Sequence, residues 1–107
     1  MSAIFRIRLL ARTGTHLWCA VSGHLTARTT DLLRDQLTDR CAGAAVIVLD
    51  LRDLGTPGDG PALPAPWPVS PHAIHLLAPE SLRARMTADA RAHWHTTVDT
   101  AWQAWCR

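Results

Sequence analysis

Apolar and polar residues alternate from Ala3 to Leu10, with Ala3, Phe5, Ile7 and Leu9 on one parity and Arg6 and Arg8 on the other. That period predicts a half-buried strand whose arginines face water. Thr13-Gly14-Thr15 is turn chemistry, and the strand pattern resumes from Leu17 to Ser22, so the two segments pair as a hairpin that ends at Gly23. Leu33, Leu37 and Cys41 then recur at every fourth position with Leu32 and Ala42 beside them. This is the apolar stripe of a helix of about four turns, capped by Thr26 or Thr29 and stopped at Gly43. Ala44 to Leu51 is a β-branched and aliphatic run interrupted only by Asp50, the mark of a central strand covered on both faces.

Between Gly55 and Pro71 stand six prolines and three glycines, with Leu63, Trp67 and Val69 as the only large apolar residues. Neither a helix nor a central strand persists through such a stretch, so it reads as a long loop pinned by Trp67. Ala73 to Ala78 is a further buried strand, Pro79-Glu80-Ser81 opens a helix running to about Ala90, and His93 to Thr97 forms a short edge strand. Val98, Ala101, Trp102 and Trp105 follow helical spacing, which places Trp102 and Trp105 together against the sheet. The predicted order is ββαβ(loop)βα(β)α, an α/β fold with a mixed sheet and helices mainly on one face.

With 107 residues the chain forms one domain, 1–107, and a domain of this size buries roughly 65% of its unfolded surface. A net charge of +2, from eleven arginines and nine acids spread along the chain, leaves no electrostatic footprint for nucleic acid or anionic lipid. Arg6, Arg8 and Arg12 interrupt the apolar N-terminus, which excludes a signal peptide or membrane span there and makes the cytoplasm the expected compartment. Cys19, Cys41 and Cys106 are odd in number, widely spaced and at apolar positions, and are expected to be buried free thiols.

Gly23-His24-Leu25-Thr26, Val46-Ile47-Val48-Leu49-Asp50-Leu51, Ile74-His75-Leu76-Leu77 before Glu80-Ser81-Leu82-Arg83, and Thr96-Thr97-Val98-Asp99-Thr100-Ala101 carry a resemblance. In this order they resemble the STAS domain of bacterial anti-sigma factor antagonists, from about Ile4 to Trp105. That family ends its second strand in Gly-Glu-Leu-Asp, of which Gly23 and Leu25 match, and its acid on the third strand is matched by Asp50. The Asp-Ser-Ser-Gly-Leu signature that should follow is absent, and the helix it opens is replaced by the Pro/Gly-rich loop. An ungapped count places Gly58 in the column of the signature aspartate and Asp59 in that of the phosphorylated serine, so no hydroxyl stands there to be modified. Asp59 carries about one negative charge where phosphoserine carries roughly 1.5 to 2. A solvated turn aspartate is the stronger reading of it.

What the resemblance implies is a non-enzymatic, protein-binding regulator of transcription, not switched at the family serine. Its partner would be a kinase-like anti-sigma factor, another STAS-type protein or a second copy of itself. The expected contact residues are His24, Thr26, Arg28, Asp53, Thr56, Asp59 and Trp67, with no catalytic, cofactor or metal role assigned. The alternative is a small-molecule or nucleotide module using the loop after the central strand.

Rival chemistries are weaker. Asp50 and Asp53 are three positions apart, which does not put both carboxylates on one face of a regular strand, and Arg52 between them has an acid to pair with. Gly55-Thr56-Pro57-Gly58-Asp59-Gly60 lacks the Lys-Ser/Thr of a phosphate loop. His72 with His75 and His93 with His95 could converge on zinc from neighbouring strands, yet packed or surface histidines are the stronger reading. Ser22, Ser70 and Ser81 lack a nucleophile elbow.

Overall fold

A computed structural model describes residues 5–56, 60–68 and 73–106. The elements are β1 (Phe5–Thr13), β2 (His16–His24), α1 (Thr30–Arg40), β3 (Val46–Gly55), β4 (Ala73–Leu77), α2 (Glu80–Arg83), β5 (Ala92–His95) and α3 (Val98–Trp105). They build an α/β domain on one five-stranded mixed sheet in the order β1-β2-β3-β4-β5. The first pair is antiparallel and the rest are parallel. The expected hairpin and the central position of β3 are both present, and the element order is the one the sequence predicts.

The two faces of the sheet are covered unequally. Leu17, Cys19 and Val21 of β2 and Ile47, Leu49 and Leu51 of β3 share one core with Leu33 and Leu37 of α1, Cys41 at its C-cap, Leu82 of α2, and Leu63 and Trp67 of the loop. On the other face Trp18 and Val48 pack against Ala101 and Trp105 of α3, with His16 edge-on to Trp105 at 5.7 Å. We call these the closed and the open face. Helices therefore cover both sides, α1 and α2 on one and α3 on the other, where the sequence predicts one face for most of them.

Two helices are shorter than expected. α1 spans 11 residues, about three turns, because Thr29 already holds the cap position and Gly43, at φ +81°, turns the chain out in the left-handed region. Leu32, placed beside the stripe by its spacing, is exposed. α2 stops after 4 residues because the loop captures the backbone beyond it. Leu63 N–H donates to the Arg85 carbonyl at 2.8 Å, and Thr87 N–H donates to the Leu63 carbonyl at 2.8 Å. The resulting Leu63–Met86 bridge buries both side chains.

Prolines lack an N–H, so the loop offers more acceptors than donors. Arginines meet them: Arg34 Nη2 donates to the Ala65 carbonyl at 2.9 Å, Arg85 Nη1 to Gly60 at 2.9 Å and Arg91 Nη1 to Pro68 at 3.0 Å. Trp67, the expected pin, is 2% exposed and lies edge-on to Trp94 at 6.3 Å.

Candidate functional site

The open face gains its chemistry from an irregularity in β3. Asp50 pairs with Ala20 and Asp53 with Ser22, so three steps along β3 match two along β2. The extra residue is a β-bulge, which rephases the strand. Leu51 and Leu54 consequently both enter the closed core, and Asp50 and Asp53 both come to the open face, against the expectation from their spacing. Asp53 shares a surface depression with Arg6, Arg8 and Ser22.

Arg52 closes on Asp50 with two hydrogen bonds, Nε to Oδ1 at 2.9 Å and Nη2 to Oδ2 at 2.7 Å, and its own N–H donates to Oδ1 at 3.1 Å. Burial pushes the Asp50 carboxyl up, but the Arg52 hydrogen bonds and charge, with Arg8 behind them, outweigh it and hold the group below the usual carboxylate range. The pairing of Arg52 with a neighbouring acid, the plain reading of this acid cluster, is what the structure holds.

A second set of residues gathers at the C-terminal ends of β2 and β3, where open α/β sheets place their ligands. His24 pairs with Gly55 across the strands, and Leu25 N–H donates to the Gly55 carbonyl at 2.7 Å. A Cβ at Gly55 would stand 2.9 Å from His24 Nδ1, so glycine lets the imidazole lie over the strand end. Thr26 is half-buried in a hydroxyl network that starts α1: its N–H donates to Thr29 Oγ1 at 2.9 Å, and Thr30 Oγ1 donates to its carbonyl at 2.8 Å. His24, Arg28 and Asp53 are exposed and Thr56 is partly so. Thus His24, Thr26 and Thr56 lie along one rim with Arg28 following, and Asp53 turns onto the open face beside it. Asp59 falls outside the described residues. Trp67 does not belong to this set: it is a core residue, and its expected contact role is corrected to structural pinning.

The sequence missed the apolar part of this surface. A cleft of about 300 Å³ opens between the hairpin and α3, lined by Leu10, Trp18, Leu77, Val98 and Trp102 with the Asp50–Arg52 pair at its edge. Leu10 is the extra residue of a second bulge, since Leu9 pairs with Cys19 and Ala11 with Trp18. Trp102, expected in the core with Trp105, is 53% exposed and sits 6.0 Å from Trp18. The helical stripe is real, but α3 rests on the sheet through Ala101, Ala104 and Trp105, which rolls Trp102 outward. Two alanines and two indoles on one short helix, Ala101, Trp102, Ala104 and Trp105, leave that roll unspecified by periodicity.

Histidines meet further along the same face. His75 Nδ1 and His95 Nε2 share a hydrogen bond at 3.0 Å, His95 Nδ1 shares one with Thr100 Oγ1 at 3.1 Å, and His93 stacks on His75 at 4.9 Å. His72 lies outside the described residues. Among the described residues no group of three or more ligating side chains forms a ready metal centre. Cys19 and Cys41 are free and buried as expected, and hydrogen bonding to Cys19 together with burial pushes the Cys41 thiol well up, keeping it protonated. Cys106 is exposed at the end of α3, contrary to expectation. No helix among the described residues is long and apolar enough to cross a membrane. No protein-family model matches the chain, and no curated protein matches it.

Proposed function

We propose that this chain is a protein-binding regulatory domain of the STAS type, which acts by docking and carries out no chemistry of its own. The carrying observation is the half-exposed Trp102 over an apolar cleft, next to an ion pair and a charged rim. Tryptophan beside arginine in a partly desolvated pocket is the composition of a binding hot spot. The hairpin followed by parallel strands is compatible with the resemblance carried by Gly23-His24-Leu25-Thr26 and Asp50. The partner in this reading is a kinase-like anti-sigma factor in the cytoplasm, with a second STAS-type chain or a second copy as the variants of the same docking. Lacking a hydroxyl at the family serine column, the domain binds constitutively or is controlled through the partner's side.

Replacing the whole Gly55 to Pro71 loop would remove Leu63 and Trp67 from the core, so a gentler probe is required. Photo-activatable side chains at positions 24 and 53, one at a time in the full chain, should cross-link the same regulator in the native host. Arg28→Glu should abolish both adducts while leaving the circular dichroism spectrum intact. Two unrelated sets of adducts, or adducts indifferent to Arg28→Glu, would overturn the reading.

A further inference from the structure

We propose that the outer edge of β1 is a docking site for an extended acidic segment of a partner protein, which joins the sheet as a further strand. β1 stands at the end of the strand order, paired on one side with β2. A strand in that position leaves a row of backbone N–H and carbonyl groups open to pairing. Among the described residues, no backbone group outside β2 pairs with Phe5 to Leu9. β1 is 9 residues long against 4 for β5 at the opposite edge, and its ladder to β2 is regular from Phe5 to Leu9, before the bulge at Leu10. That regular half is the template.

Side chains decide which strand fits. Arg6 and Arg8 are exposed, lie on one face of β1 and line a depression with Ser22 and Asp53. The ion pairs among the described residues take up Arg34, Arg52, Arg83 and Arg91, and β1 carries no acid of its own. Asp53 is the one acid against two arginines there, so the edge stays positive. On the opposite face Ile7 is half-buried at the margin of the closed core and Leu9 is 55% exposed. A strand that alternates carboxylates with aliphatic side chains sets acids opposite Arg6 and Arg8 and apolar groups beside Ile7 and Leu9. Main-chain hydrogen bonds then give the affinity and the alternate side chains the specificity. A second copy of this chain does not fit. In each two-fold antiparallel register that overlaps more than the tip of Phe5–Leu9, Arg6 faces Arg6, Arg6 faces Arg8 or Arg8 faces Arg8, and like charges directly opposite repel. Charges and a bulge are the means by which an exposed edge turns away neutral and like-charged strands; an acidic strand is the one they admit.

The probe is a terminally blocked heptapeptide of alternating glutamate and valine, titrated into the ¹⁵N-labelled full chain and followed by amide resonances and hydrogen exchange. The shifts should saturate and map to Phe5–Leu9, with exchange slowed there, and binding should weaken as salt is raised. With Arg6→Glu and Arg8→Glu together, in a chain whose circular dichroism is unchanged, the peptide should bind at least about tenfold more weakly. A lysine–valine peptide should bind that variant instead. Methyl groups on alternate peptide nitrogens block one edge of a strand, so of two glutamate peptides methylated on opposite parities one should lose binding and the other keep it. A purely electrostatic attachment is indifferent to parity. Docking of this peptide needs neither the regulator nor the cross-links of the reading above, so each result can fail alone. No saturable binding, indifference to parity, binding that survives the double variant, or shifts that avoid β1 would each overturn the site.

Discussion

The closed and open faces of one sheet are built from the same strands and differ in what lies over them. On the closed face Ile47, Leu49 and Leu51 are fully buried beneath α1, the short α2 and the proline loop. On the open face a single helix of 8 residues seals Val48, and the sheet beyond it carries Arg6, Arg8, Asp50, Arg52 and Asp53. The β3 bulge is the joint between these regimes, because it delivers a second leucine inward and a second carboxylate outward. A fold this small can give one face to stability and the other to recognition only if its central strand serves both.

The comparison breaks first at Trp67. Trp67→Ala should cost about 3–5 kcal/mol, read as a lowered denaturation midpoint at unchanged urea m-value. Leu37→Ala, under the same face, should cost about 2–5 kcal/mol by the same measurement. On the open face the effects shrink. Asp50→Asn removes an ion pair whose arginine side chain is 54% exposed, worth at most about 1 kcal/mol.

Its signature is in the pH dependence. Because the folded-state carboxyl is held low, its contribution is fully present above the unfolded value of about 3.9 and is lost as the pH falls through the folded value. Stability curves of the parent and Asp50→Asn should therefore part at neutral pH and converge in acid. Trp102→Ala should shift stability by no more than about 0.5 kcal/mol while abolishing cross-linking to a partner. If it costs as much as Leu37→Ala, the distinction between the faces is gone.

What was legible in the sequence follows the strength of local pattern. The aliphatic run from Val46 to Leu49 announced a strand covered on both faces, and the recurrence of Leu33, Leu37 and Cys41 at every fourth position announced the face of α1. The misses are places where distant chain decides. Nothing near Met86 says that α2 must end early, since the backbone groups that end it belong to Leu63. Nothing in the Asp50-Leu51-Arg52-Asp53 spacing declares a bulge, which is defined by the count on β2. Trp102 was missed for a similar reason: a large apolar side chain signals burial, and only the seating of α3 decides that this indole faces water while Trp67, the pin, stays inside under the arginine-held loop.

The Leu63–Met86 bridge joins positions separated by β4 and α2 in the chain. The proline segment can lock only after those two elements have been laid down, and it releases without disturbing the ladder between β2 and β3. Transient opening of the domain should therefore begin there, exposing the 60–68 stretch to proteases and its few amides to exchange while the central strands stay shut.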